Sequence, residues 1–302
     1  MRRQPLRFTL AIFALYLATS GTRALAGEPA AAGSPPSTAA WRLDPLWDDG
    51  NAELCAYDVT WPRYGARYHG RALLVLVKEP WAPDLHVKAD TPRGNGFDVL
   101  KLNHVRDVRT GIYTYHQMAS VYFRRDDARL EKVAATSSEA CGVTTAYKVG
   151  DGELAVRSYF DGVGDRAVAW PAGALPQDAL PALLRDWVVA PPPGQLLVFP
   201  SLLDSKLATP KARRLQVSRR DAAEVEEPAG RFAAVELRLE GEAAGGATGE
   251  QLSYLFERAA PHRLLELRGS DGTLYRLARC GRIKYWEMHG PGGEEWLPAA
   301  VR

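Results

Sequence analysis

Residues 53–78 constrain the fold more than any other stretch of this chain. Cys55, Tyr57, Val59 and Trp61 recur at every second position, which places their side chains on one face of a β-strand. Residues 71–78 are apolar on both faces, as in a strand that is covered from both sides. The stretch therefore predicts two paired strands joined by an aromatic, glycine-containing connection, and most of the following sequence repeats this unit.

The rest of the chain predicts further antiparallel strands and one helix. Alternating segments recur between short turns, and no strand–helix–strand rhythm appears. The helix is predicted over residues 180–189, where Asp178 can cap the first turn and the apolar stripe ends at Trp187. A sheet of about twelve strands must curl or split to bury its apolar face. We therefore predict a mainly β protein: a strongly curved antiparallel sheet, a half-barrel of roughly twelve strands, with one or two packed helices.

The N-terminal region predicts export. Arg2, Arg3 and Arg7 precede an apolar run, and Ala24 and Ala26 supply the small residues of a cleavage site. We predict a signal peptide over 1–26, a disordered linker over 27–45, and a single curved-sheet domain over 46–302. A division of that domain into two halves near 190–195 remains an alternative. The mature protein is expected to be periplasmic or extracellular, with no integral membrane segment after signal cleavage.

Composition and cysteine count limit the chemistry further. A net charge of +2 argues against nucleic acid as a partner, because phosphate binding requires a concentrated basic surface. Cys55, Cys141 and Cys280 form an odd set, so one bridge with any of three pairings, or no bridge, is open. No pair has C-x-x-C spacing, and no histidine lies close in sequence to a cysteine. The sequence therefore predicts no metal site and no cofactor.

Catalytic signatures are absent from the motifs that can be tested. There is no G-x-S-x-G elbow, no H-E-x-x-H helix and no phosphate-binding glycine loop. His104 and His116 lie on successive β segments and could converge with Asp107 or Asp126, but we interpret both as ordinary strand histidines. An acidic group near the start of the folded region is interpreted as a solvated loop rather than a cation site: Asp48, Asp49 and Glu53. We therefore predict no catalytic residues and no enzymatic activity.

Large aromatic and aliphatic side chains lie on the alternating faces of the better-defined strands. Tyrosine and tryptophan combine an apolar body with a polar tip, which suits the lining of a cavity for a lipid-like ligand. They also suit an ordinary sheet core, and one sequence does not say which face is concave. The candidate lining residues are Tyr57, Trp61, Tyr113, Tyr115, Leu237, Leu239, Tyr254, Phe256 and Tyr275.

Several motifs carry a family resemblance. They are R-Y-G followed by G-x-A-x-x-x-x-V-x-E-P within 57–80, V-L-K-L-N at 99–103, T-G-I-Y-x-Y at 110–115 and T-S-S-E-x-C-G at 136–142. Together they resemble a family of exported bacterial proteins, some of whose members carry the label "septum formation inhibitor Maf". Residues 252–277 resemble the end of related exported domains, which are similar in shape to periplasmic lipoprotein carriers. True Maf nucleotide pyrophosphatases have a basic S-x-S-P-R-R-type motif that this chain lacks.

Three functional hypotheses follow from the sequence. The first is an exported protein that carries an apolar, lipid-like ligand in the groove of a curved sheet. The second is an envelope structural or protein-interaction module with a closed core, whose protein partners the sequence does not identify. The third is an enzyme of unrecognised mechanism. A continuous pocket would favour the first, a solid core the second, and a convergence of His104, His116 and carboxylates the third.

Overall fold

The computed structural model describes residues 40–91, 93–204, 206–207, 210–242 and 249–297. The predicted signal peptide and residues 27–39 of the predicted linker lie outside this part. The described part is dominated by strands, whose bounds are β1 (Ala52–Arg63), β2 (Ala66–Ala82), β3 (Val87–Lys88), β4 (Phe97–Thr110), β5 (Tyr113–Arg124), β6 (Leu130–Glu139), β7 (Gly142–Val149), β8 (Leu154–Ser158), β9 (Arg166–Val168), β10 (Leu175–Pro176), β11 (Gln195–Phe199), β12 (Arg213–Glu227), β13 (Gly230–Gly241), β14 (Gln251–Glu257), β15 (Leu264–Gly269) and β16 (Leu274–Ile283).

Helical structure in the described residues is limited to short segments. The α-helices are α1 (Ala40–Leu43), α2 (Leu180–Leu183) and α3 (Asp186–Val189), and single 3-10 turns span Pro45–Asp48, Gln177–Ala179, Tyr285–Glu287 and Gly293–Trp296. None of the helices in the described part has the length and apolarity needed to cross a bilayer. The helix predicted over 180–189 is divided into two short helices. The N–H groups of Arg185 and Trp187 each donate to the carbonyl three residues earlier, as in a 3-10 turn, and this interrupts the α-helical hydrogen bonding between α2 and α3.

All described strands belong to one sheet, in the order β10-β11-β12-β13-β14-β15-β16-β1-β2-β4-β5-β6-β7-β8-β9, with β3 on the side of β2. The pairs are antiparallel except β10 with β11. The prediction of a mainly β, strongly curved antiparallel sheet is confirmed. The described sheet has sixteen strands rather than roughly twelve. Three of them, β3, β9 and β10, are only two or three residues long and carry no readable alternation.

One face of the sheet, here called the inner face, carries the hydrophobic core. It contains Tyr57 and Tyr275, whose side chains are buried. Curvature is evident where His104 of β4 lies 3.2 Å from the hydroxyl of Tyr275 on β16, although β2 and β1 separate the two strands. In a flat sheet their backbones would lie about 14 Å apart, since neighbouring strands are spaced by about 4.8 Å. The sheet therefore wraps around its inner face.

The first and last long strands along the chain are neighbours in the sheet. β1 pairs with β16, and this register sets Cys55 opposite Cys280, where a disulfide joins them across 225 positions. Cys141 is free and exposed. A β-bulge interrupts this pairing, where the register shifts between Ala56 and Tyr57. Of the pairings that the sequence left open, the structure has the one between Cys55 and Cys280.

The segment that precedes β1 packs against the sheet. Trp41 and Arg42 are buried, and the Arg42 guanidinium forms a 2.5 Å ion pair with Asp186 of α3. Trp41 donates its indole N–H to the same carboxylate. The linker bound at residue 45 is therefore wrong, because α1 and the following turn belong to the folded domain.

Candidate functional site

A cavity of about 410 Å³ lies against the inner face, within the size range of small-molecule sites. Strands β1, β4, β14 and β16 supply its sheet side through Trp61, His104, Tyr254 and Tyr275. Two non-strand segments, around Asp178 and over residues 200–204, supply the other side. The cavity is thus enclosed between the concave side of the sheet and the connections that cross it.

Arg106 is the central cation of this cavity. It continues the inner-face row of β4 after Leu102 and His104, and it is 8% exposed. Its Nε donates to Gln117, its Nη2 donates to the carbonyl of Leu203 at 2.8 Å, and its Nη1 lies 3.5 Å from the Tyr275 hydroxyl. None of these partners is a carboxylate. Arg106 therefore places a buried positive charge on the cavity wall, held by neutral acceptors.

His104 is a neutral histidine with one unpartnered nitrogen. Burial, with a smaller contribution from Arg106, lowers its pKa to about 3. Its Nε2 lies 3.2 Å from the Tyr275 hydroxyl, whereas its buried Nδ1 has no hydrogen-bond partner among the described residues. The closest carboxylate oxygen, Oδ1 of Asp178, is 3.9 Å from Nδ1, which is beyond hydrogen-bond distance.

Asp178 holds the segment that covers the cavity. Its carboxylate accepts hydrogen bonds from the Ser201 hydroxyl at 2.6 Å and from the backbone N–H of Leu202 at 2.7 Å. Burial raises the pKa of this carboxyl, and the two hydrogen bonds oppose that rise. The sequence prediction that Asp178 caps the helix is wrong, because its side chain points to residues 201–202 instead of the helix N-terminus.

Tyr254 presents a buried hydroxyl without a partner. Its ring is fully buried on β14 and lines the cavity, and no acceptor or donor among the described residues lies within hydrogen-bond distance of its oxygen. Burial raises the pKa of this hydroxyl well above its usual value, so it remains protonated. Buried polar atoms in native proteins are usually paired, and an exception therefore calls for an explanation.

The aromatic wall of the cavity includes Trp61. The Arg106 guanidinium lies 4.6 Å from the centre of its ring, and Tyr115 packs edge-on at 5.1 Å. Arg63 lies 5.3 Å from the same ring on the side of the β1–β2 turn. A cation over an aromatic face is an attractive arrangement, and it fixes the orientation of both side chains.

The structure places all nine predicted lining residues on the inner face. The strand registers connect them: Tyr254 is opposite Leu237 and Leu267, and Leu267 is opposite Tyr275. Three of the nine line the cavity, namely Trp61, Tyr254 and Tyr275. The remaining six do not line it: Tyr57, Tyr115, Leu237, Leu239 and Phe256 are buried in the core, and Tyr113 packs half-buried beside Tyr115.

The polar half of the site was missed or misread from the sequence. His104 was interpreted as an ordinary strand histidine, and Arg106 was not singled out. The signal was nevertheless present, because both continue the alternating row of Leu100 and Leu102, which points into the core. A charged residue at such a position is uncommon unless it has a specific partner or role.

The alternative groupings considered from the sequence are not formed. His116 is exposed on the outer face, 3.0 Å from Asp107, and does not meet His104. Asp48 forms an ion pair with Arg125, and Asp49 forms one with Arg282. Arg282 holds the pKa of the Asp49 carboxyl well below its usual range. Glu53 lies within ligand distance of Cys55 and Cys280, but the disulfide uses both sulfur atoms.

A larger groove of about 800 Å³ lies on the opposite face of β12–β16. Its buried acids already have cationic partners: Glu236 pairs with Arg220 and Arg238, and Glu227 with Arg276. These carboxylates are therefore paired, and the buried side-chain atom of this groove without a hydrogen-bond partner among the described residues, Nε of Arg238, belongs to a guanidinium that is already ion-paired with Glu236. The inner cavity is therefore the candidate functional site.

Comparisons with known proteins add no functional information. No protein-family model matches the chain, and no curated protein matches it. Among solved structures, a crystal structure described as a beta-barrel-like protein of domain of unknown function DUF1849 from Brucella abortus is similar, with 12% identity and a TM-score of 0.45. The alignment covers 77% of this chain and 98% of that one. A likeness at this level carries no information about ligand or activity.

Proposed function

We propose that this protein is an exported binding protein that holds a small amphipathic ligand in the cavity on the inner face of its sheet. The observation that carries the proposal is that two residues that line the cavity, His104 and Tyr254, each have a buried polar atom, Nδ1 and the hydroxyl respectively, with no hydrogen-bond partner in the part of the chain that the structure describes. A buried polar group without a hydrogen bond costs about 1–3 kcal/mol. A ligand that supplies the missing partners removes this cost.

The lining favours an amphipathic ligand over a hydrocarbon chain. Trp61, Leu252 and Leu267 offer apolar surface, while Arg106 and Gln177 offer polar groups on the same cavity. A purely apolar ligand would leave the polar groups desolvated and unpaired. The lipid-like ligand predicted from the sequence is therefore narrowed to a molecule with both an apolar body and a polar group.

Export remains part of the proposal. The apolar run and the small residues near Ala26 form the layout of a cleaved signal peptide. The disulfide between Cys55 and Cys280 supports it, since structural disulfides persist in oxidising compartments outside the cytoplasm. Recovery of a mature chain that begins near Gly27 from a cell-envelope fraction tests this element, and an intact Met1 on that chain would contradict it.

Binding is tested with two fluorescent probes that differ by one charged group. They are anilinonaphthalene sulfonate and its neutral counterpart N-phenylnaphthylamine, which both gain fluorescence in apolar sites. We expect saturable binding of at least one probe, and a loss of about ten-fold or more in Thr273→Trp, because Thr273 lines the cavity and a large side chain there occupies it. The matched control is Thr60→Trp, on the neighbouring strand and outside the cavity. Absence of saturable binding, or equal effects of the two variants, refutes the proposed function.

A further inference from the structure

The hydrogen bonds around Tyr275 indicate which nitrogen of His104 carries the proton. A guanidinium can only donate, so the contact of 3.5 Å from Arg106 Nη1 uses the Tyr275 oxygen as an acceptor. Among the described residues, Nε2 of His104 at 3.2 Å is the other hydrogen-bond contact of this hydroxyl, and we assign it as the acceptor of the hydroxyl proton, which would otherwise be buried without a partner. Neutral imidazole carries one proton, so it resides on Nδ1. The unpartnered Nδ1 of His104 is therefore a donor.

Two further donors line the same cavity. The hydroxyl of Tyr254 is protonated and meets no hydrogen-bond partner in the described part of the chain. Arg106 has five N–H groups, of which three are used by Gln117, Leu203 and Tyr275. His104 and Arg106 both contact the Tyr275 hydroxyl, and Tyr254 lies on the same face, one strand beyond Leu267.

On this geometry, and resting on the proposed function, we propose that the ligand is an organic anion whose charged group is bound by Arg106, His104 Nδ1–H and the Tyr254 hydroxyl. Its apolar body lies along Trp61, Leu252 and Leu267. Hydrogen bonds between donors and a charged acceptor are about twice as strong as neutral ones, and a buried guanidinium held only by neutral acceptors gains most from such a partner.

Four carboxylates line the cavity and oppose an anion there. Glu250 is ion-paired with Arg213, Asp204 lies 3.9 Å from Arg63, and Asp271 accepts hydrogen bonds from Thr273. The fourth is Asp178, whose carboxyl interacts with the positive charge of Arg106. Both of its oxygens already accept hydrogen bonds, from Ser201 and from Leu202. Its burial disfavours the charged form, and its oxygen stays 3.9 Å from His104 Nδ1. The Asp178 carboxylate therefore holds residues 201–202 in place, and the donors of Arg106, His104 and Tyr254 stay available to the ligand.

The test compares the two probes, which differ by a single sulfonate group. We expect the wild-type protein to bind the sulfonate at least about ten-fold more tightly than the neutral probe. Tyr254→Phe removes only the unpartnered hydroxyl and should lower sulfonate affinity by about ten-fold, with no change for the neutral probe. Tyr57→Phe is the matched control, because the Tyr57 hydroxyl donates to the Leu264 carbonyl away from the cavity. It should change neither affinity.

Two further variants and two competitors test the assignment if Tyr254→Phe folds poorly. Arg106→Met should abolish the preference for the sulfonate, and Asp178→Asn should strengthen sulfonate binding several-fold while retaining an acceptor for Leu202. Decanoate tests for a free acid and phosphatidylglycerol vesicles for a lipid headgroup, and displacement of the sulfonate by either supports the assignment. Equal binding of both probes, an unchanged preference in Tyr254→Phe and Arg106→Met, or displacement by neither competitor overturns the anion assignment. The proposed function would survive these results, since it fails only if no probe binds saturably or if Thr273→Trp and Thr60→Trp have equal effects.

Discussion

The disulfide between Cys55 and Cys280 should be a major source of stability. It closes a loop of 225 positions in the unfolded chain. The chain-entropy relation gives about 18 cal/mol/K for a loop of this length, or about 5 kcal/mol at room temperature. The effect acts on the unfolded state, so the paired strands β1 and β16 should remain in place when the bridge is removed.

The perturbation is Cys280→Ala, compared with treatment of the wild-type protein by a reductant. Both should lower the free energy of unfolding by about 5 kcal/mol in urea titrations followed by tryptophan fluorescence. Cys141→Ala is the control, because Cys141 is exposed and free, and it should change stability by less than about 0.5 kcal/mol. Thiol titration of the denatured, unreduced chain should find a single reactive group. The reasoning is refuted if all three cysteines react, or if the reductant leaves the unfolding free energy unchanged.

Three further predictions concern single side chains of the core and the cavity. Trp61→Ala should cost about 3 kcal/mol of stability and also weaken binding of the neutral probe, because the ring is buried and lines the cavity; full retention of both would contradict its placement. Arg185→Ala should cost about 3–5 kcal/mol, because it leaves the buried carboxylate of Glu53 without its partner at 2.6 Å. Arg231→Ala, which breaks an exposed pair, should cost less than about 1 kcal/mol in the same urea titration. For His104, the pKa near 3 in the folded state lies below the unfolded value of 6.5, so the folded protein binds fewer protons and loses stability as pH falls from 6.5 toward 3. His104→Gln should flatten this loss by up to about 1.4 kcal/mol per pH unit, and identical slopes in both proteins would rule out a buried neutral histidine.

Period-two alternation explains why much of the fold was readable. A strand with one buried face must repeat every second residue, so Tyr57, Trp61 and Tyr254 could be assigned to one side of the sheet from their spacing alone. Which side is concave depends on the curvature of the whole sheet. That curvature is a sum over many strands and leaves no local pattern, so the division between core and cavity could not be predicted.

The polar part of the site depends on contacts between distant segments. Asp178 has the residue type and position of a helix cap, and only the approach of residues 201–202 gives it different partners. The same holds for Cys55 and Cys280, whose pairing follows from the contact between the first and last long strands. Residue spacing within one segment cannot predict such contacts, because they depend on how two distant segments pack against each other.

The order of strands in the sheet makes this protein a natural candidate for splitting. Apart from the contact between β1 and β16, neighbouring strands follow one another along the chain, and the edge strands β9 and β10 are joined only by residues 169–174. A cut in that connection would yield two fragments that are joined by the pairing of β1 with β16, by side-chain contacts such as the Arg42–Asp186 ion pair, and by one covalent bond through Cys55 and Cys280. Under reducing conditions the fragments become separable partners. Reassembly of the cavity, which takes Trp61 and His104 from one fragment and Tyr254 and Tyr275 from the other, would then report directly on their association.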